Sequence, residues 1–143
     1  MSDEQQSPKS ENANGPMLAA LVRAGDKQKE AVKINDFIFM AKDISNAYLV
    51  TTAAGDLMVN TGFMDTANVE RNKALFAPVR TGPLRYIILT QAHPDHYGGV
   101  PAFREADTKV IAQQRFTDTW QYFHDLGPYL KKRTAKLWAS TMQ

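Results

Sequence analysis

Cysteine is absent from the 143 residues, and histidine is scarce, with only three. The first absence excludes disulfides, thiolate metal ligands and cysteine nucleophiles. Any transition metal must then be held by imidazole and carboxylate groups. Long hydrophobic runs are also missing. Met17–Val22 is the nearest apolar stretch to the N-terminus, and it is too short for a membrane span or the core of a secretory signal. No sign of charge dominates, since 17 Lys and Arg face 15 Asp and Glu for a formal +2. The basic residues are scattered except for Lys131-Lys132-Arg133, so charge gives no nucleic-acid footprint. Residues 1–15 contain, after Met1, Ala13 as their only apolar residue, a composition that cannot bury a core. These absences lead to the expectation of a cytoplasmic protein with neither membrane nor nucleic acid among its partners.

What is present suits one domain. The chain is 43% hydrophobic, an ordinary fraction for a globular protein. Residues 1–30 read as a disordered polar tail, with a short helix at Pro16–Arg23 closed by Gly25, and residues 31–143 as the folded domain. Val32–Met40 reads as a strand with a turn at Asn35-Asp36. Ala47–Thr52 and Leu57–Asn60 read as a hairpin around Ala54-Gly55-Asp56. Asp65 or Thr66 caps a helix carrying Val69, Leu75 and Phe76 and stopped by Pro78. Leu84–Thr90, with Tyr86-Ile87-Ile88-Leu89 wholly apolar, reads as a buried central strand. A loop, a short helix over Val100–Glu105 and a strand at Lys109–Ala112 follow. From Arg115 onward Phe116, Trp120 and Phe123 share one helical face, and Gly127-Pro128 separates a second helix bearing Leu130, Leu137 and Trp138. At this spacing Trp120, Phe123, Tyr129 and Trp138 read as core, and Lys131–Arg133 as a solvated face. The order of elements is that of an α/β domain with a mixed sheet.

His93, Asp95 and His96 lie within four residues, directly after the most apolar strand. Imidazole nitrogen and carboxylate oxygen are the ligands zinc prefers. Pro94 holds His93 extended and stiffens the turn, while Gly98-Gly99 lets the chain pass close to an ion and reverse. Two histidines and an aspartate in a surface loop can also be merely solvated. The buried strand before them and the paired glycines after them favour the metal loop. His124, the remaining histidine, falls on a predicted helix and reads as a surface or core-edge residue. Tyr97 either lines a pocket or packs beneath the loop.

Gln91-Ala-His-Pro-Asp-His96 with Gly98-Gly99 resembles the H-x-H-x-D-H signature of the metallo-β-lactamase-fold hydrolases. That family includes β-lactamases, thioesterases, lactonases, alkylsulfatases and RNA-processing nucleases. Asn46–Val50 with Gly55–Gly62 is similar to the family's opening hairpin, which ends in Asp-Thr-Gly, and the resemblance spans Val32–Ala112. It implies the N-terminal half of an αββα sandwich, a mixed sheet with outer helices. It further implies zinc, one or two ions, with His93 a ligand of the first and Asp95 and His96 ligands of the second. Asp95 would be the catalytic residue that holds the bridging water or hydroxide and handles its proton. The sequence departs from the family twice. Gln91 replaces the first motif His, as in an alkylsulfatase-like branch, and a neutral amide oxygen is a weak zinc donor. Asn60 replaces the turn Asp, keeping an acceptor oxygen without the charge.

The resemblance implies a metal-dependent hydrolase that attacks a small ester-like substrate (sulfate ester, thioester or lactone) through metal-bound hydroxide. The alternative is an inactive or truncated relative serving as a binding module or fragment. The family's downstream ligands find no clear match after His96, so the domain is expected to be incomplete. Half a sandwich would leave one sheet face bare and favour a homo-oligomer.

Overall fold

The computed structural model describes residues 23–138. The helix expected at Pro16–Arg23 lies outside the described residues except for its last residue. Arg23 begins instead a turn running to Lys27. Gln28 fastens this segment to the sheet, its amide donating to the Met40 carbonyl at 2.9 Å and accepting from the Lys42 amide at 2.7 Å.

Asn35 sets the first reversal. Its side-chain oxygen accepts from the Phe37 and Ile38 amides at 3.0 and 2.8 Å, an Asx turn that stands in for a backbone turn. The single bent strand expected from the sequence is therefore two strands, β1 (Val32–Lys33) and β2 (Ile38–Ala41). β3 (Ala47–Val50) and β4 (Asp56–Val59) form the hairpin around Gly55, whose φ of 117° explains the glycine. Helix α1 (Thr66–Phe76) starts at Asp65, whose carboxylate accepts from the Ala67 and Asn68 amides at 3.0 and 3.4 Å. A 3-10 turn at Ala77–Val79 leads into β5 (Leu84–Leu89). The expected metal loop contains a helical turn, α2 (Pro94–Tyr97), and α3 (Val100–Phe103) follows. β6 (Lys109–Ala112), α4 (Phe116–Asp125) and α5 (Gly127–Trp138) complete the described chain.

The six strands form one sheet in sequence order, antiparallel from β1 to β4 and parallel from β4 to β6. The mixed α/β architecture expected from the sequence is present. Register gives the sheet two unlike faces. Phe39, Leu49, Met58 and Ile87 lie side by side across four strands and pack with Leu75 and Phe76 of α1. Leu49, Met58, Ile87 and Phe76 are fully buried, each worth about 2 kcal/mol. On the other face Met40, Tyr48, Val59, Ile88 and Ile111 form an equally apolar row. These side chains are only half-buried, and Ile111 is 46% exposed.

Buried polar groups fix how β5 enters the sheet. Asp56 is fully buried, and its carboxylate accepts from the Thr81 amide and hydroxyl at 3.1 and 2.8 Å. Glu105 accepts from the Leu84 amide at 2.9 Å, and Thr108 donates to the Leu84 carbonyl at 2.6 Å. The start of β5 is thus tied to both of its neighbours, and the parallel register then places its C-terminal end beside that of β4.

Candidate metal centre

Because β4 and β5 are parallel, the chain leaves both in the same direction at the same edge. In sheets of this kind, that edge is where ligands bind. β4 continues into Asn60-Thr61-Gly62 and β5 into Thr90-Gln91-Ala92. Two bonds to one carbonyl join these exits: the Thr61 amide and hydroxyl donate to the His96 carbonyl at 2.8 and 3.2 Å. Gly99 and Gly98 permit the approach. A Cβ on Gly99 would lie 2.4 Å from the Thr61 carbonyl oxygen, and one on Gly98 2.6 Å from the Met64 nitrogen. Their φ values of −80° and −59° suit any residue. Space beside the β4 exit, rather than backbone freedom, accounts for these two glycines.

Asn60 takes φ 58°, the left-handed conformation that asparagine tolerates better than most residues. This conformation turns its side chain toward the β5 exit. There Oδ1 accepts from the Thr90 amide and hydroxyl, both at 3.1 Å. The same hydroxyl lies 3.2 Å from His96 Nδ1. Having donated its one proton to Asn60, it accepts from Nδ1–H, which leaves the lone pair on Nε2. Burial lowers the His96 pKa, the Asp95 carboxylate acts to raise it, and His93 to lower it again. The net effect is a neutral imidazole at pH 7, the form that binds metal. Asn60 was legible as a departure from a family motif. Thr90 was missed as a functional residue, although a hydroxyl directly before a histidine cluster is the signal that could have found it.

The four residues singled out from the sequence come together at this edge. Asp95 stands between two imidazoles, with Oδ1 3.3 Å from His93 Nδ1 and Oδ2 3.6 Å from His96 Nε2. The Gln91 amide contacts His96 Nε2 directly. Two ligands on one tetrahedral zinc, each about 2.1 Å from it, are about 3.4 Å apart, so either His–Asp pair has the spacing of metal ligands. Each pair uses a different carboxylate oxygen, however. Among the described residues no three His, Asp or Glu side chains are grouped so as to hold an ion. The donors fit a divalent ion in kind and spacing, but they form an open set rather than a closed cage.

α4 and α5 flank this edge. The His93 ring meets Phe123 edge-on at 5.0 Å, and His124 stacks on Trp120 at 5.5 Å. The aromatic residues of this helical pair were expected to be core. Trp120 is 41% and Tyr129 64% exposed, so helical spacing identified their shared face and not its cover. Tyr97 combines both readings, packing on the core and meeting Phe116 edge-on at 5.8 Å. Among the described residues no helix is long and apolar enough to cross a membrane.

The sequence pattern of the metallo-beta-lactamase superfamily matches residues 40–130. The alkyl/aryl-sulfatase BDS1 of Saccharomyces cerevisiae is 32% identical over 80 residues, 54% of this chain and 12% of the yeast protein. The fold superposes on a metallo-beta-lactamase of Cronobacter sakazakii carrying a HARLDQ motif, with TM-score 0.55 and 20% identity over 69% of this chain and 37% of that one. It also superposes on the sec-alkylsulfatase Pisa1 from Pseudomonas sp., with TM-score 0.58 and 13% identity over 76% of this chain and 21% of the other. The chain therefore spans well under half the length of these relatives.

Proposed function

The chain belongs to the metallo-beta-lactamase superfamily, and from that premise we propose that it carries part of the active centre of a zinc-dependent hydrolase of ester-like substrates. Sulfate esters lead, with thioesters and lactones behind them. The observation that carries this reading is the Asn60–Thr90–His96 relay, which presents a neutral imidazole nitrogen beside a carboxylate at the carboxyl ends of two parallel strands. His96, Asp95 and His93 would hold the ion. A weaker contribution from Gln91 would require its amide oxygen to face the ion. When bound, zinc acts as a Lewis acid and makes water acidic enough to ionise near neutral pH.

The chain's own residues account for the remaining steps. Thr90 and Asn60 hold the His96 ring in one tautomer and one orientation. Asp95 lies between the two imidazoles and takes up and returns the proton of the attacking water at its carboxylate. The relatives named as sulfatase and alkylsulfatase favour a sulfate ester, and the yeast match falls on a chain of which this one covers 12%.

The open donor set favours a second reading, a non-catalytic member of the superfamily serving as a binding module. Elemental analysis of the purified chain separates the two. Bound zinc, lost in His96→Ala together with hydrolysis of an aryl sulfate, phenyl thioester or lactone, supports the hydrolase. Protein that takes up no zinc, or that keeps its zinc in His96→Ala, sinks it.

A further inference from the structure

A cleft of about 540 Å3 separates the His93 turn from the helical pair. His93 and Tyr97 form one wall, Trp120 and Phe123 another, and His124 and Arg133 stand at its polar side. We propose that Arg133 is a specificity-determining residue, which binds a negative charge on the substrate and so selects an anionic ester over a neutral one. The inference rests on the hydrolase reading for what happens next, but the binding itself requires only the cleft.

The electrostatics of α5 support the assignment. The helix carries Lys131, Lys132, Arg133 and Lys136 and no carboxylate. Among the described residues none of these cations lies within ion-pair distance of an Asp or Glu. The acids on the facing helix are engaged elsewhere. Asp118 pairs with Arg115 at 3.4 Å, and Asp125 accepts from Gln121 at 2.7 Å and lies 3.8 Å from His124 Nδ1. Neither lines the cleft. A planar guanidinium with several donors and, among the described residues, no competing carboxylate suits a sulfate or carboxylate oxygen pair. The low-dielectric aromatic walls strengthen that attraction over its value in open water. Of the ester classes considered above, the sulfate ester is the one that carries charge on the reacting group. Arg133 thus gives a physical reason to prefer it, independent of any relative's name.

Trp120 lines the cleft and reports occupancy by its fluorescence. Benzenesulfonate and methyl phenyl sulfone are suitable probes, since they share a ring and a sulfonyl group, differ in charge, and are not esters. The full chain should bind the sulfonate more tightly by at least about tenfold, the worth of one charge-assisted hydrogen bond. Arg133→Gln should abolish that preference and Arg133→Lys restore part of it. Lys132→Gln, a neighbour outside the cleft, should leave it intact. Equal affinity for the two probes in the wild type, or an undiminished preference in Arg133→Gln, overturns the proposal. Zinc content measured on the same samples separates the two claims. Charge preference without zinc refutes the hydrolase and leaves the anion cleft standing, whereas zinc and turnover without charge preference do the reverse.

Discussion

The end of the β4–β5 pair and the helical pair α4–α5 face each other across the candidate centre, and they are built by opposite means. At the strand ends polar groups are bonded to one another in a chain. Thr61 holds His96, Asn60 holds Thr90, Thr90 holds the His96 ring, and two glycines let the backbones touch. The helices contribute aromatic rings and, on α5, cations with no ion-pair partner among the described residues, and most of their side chains are exposed. Hydrogen-bonded strand ends fix a donor set to fractions of an ångström, as metal chemistry requires. Loosely covered helices can exchange side chains at little structural cost, as substrate selection requires. On the proposed reading, reaction and specificity would therefore rest on different parts of the chain.

The largest consequence concerns the sheet behind both regions. Its second face presents Met40, Tyr48, Val59, Ile88 and Ile111 in one cross-strand row, with no buried side chain among them. We expect the isolated chain to self-associate through this row, because a contiguous apolar patch of that kind is rare on monomers. Light scattering at micromolar concentration should show particles larger than a monomer, shrinking in a Val59→Lys, Ile88→Lys double variant. A monodisperse wild-type monomer would show that the row is covered.

Next in size is Gly99→Ala. Its methyl would meet the Thr61 carbonyl oxygen at 2.4 Å, and backbone on both sides cannot yield cheaply. A loss of about 3 kcal/mol is expected, at the upper end of overpacking costs, read as a fall in the denaturant midpoint. An unchanged midpoint would mean that the turn and the β4 exit are not locked together as described.

Asn60→Leu should cost less, about 2 kcal/mol, since it takes the acceptor from the Thr90 amide and puts leucine in left-handed backbone. Its sharper effect is on metal. With the relay broken the His96 ring is free to turn, and zinc affinity should drop about 10–100-fold. Asn60→Asp should retain most of the affinity, because the acceptor oxygen remains. If Asn60→Leu binds zinc as tightly as the wild type, the relay does not position the ligand.

The contrast between the two regions also explains what could be read from the sequence. The His93–Asp95–His96 cluster was legible as a candidate because its residues are adjacent and sit between an apolar strand and two glycines, all local features. The Asn35 turn, the Asp65 cap and the Gly127-Pro128 break were legible for the same reason, since each acts within a few residues. The bond from Thr61 to His96 spans 35 positions, and only the parallel pairing of β4 with β5 brings the two together. Arg133 lies still further from His93 in the chain, and nothing local distinguishes it from Lys131 or Lys132. Periodicity placed Trp120 and Phe123 on one helical face but could not show whether anything covers that face.

The smallest expected effect belongs to Gly127→Ala, the counterpart of Gly99→Ala in the helical pair. A Cβ at Gly127 would meet nothing within 4 Å, so the steric term that dominates at Gly99 is absent. Two backbone terms remain, and they oppose each other. Gly127 is the first residue of α5, and alanine there would gain about 0.5–1 kcal/mol by restricting the unfolded chain. It also precedes Pro128, whose ring disfavours the helical conformation for any residue bearing a Cβ. The sum should fall within about 0.5 kcal/mol of zero, the range of an ordinary surface change. A loss approaching that of Gly99→Ala would mean that the start of α5 is as tightly held as the β4 exit, and the division between a locked framework and a replaceable wall would fail.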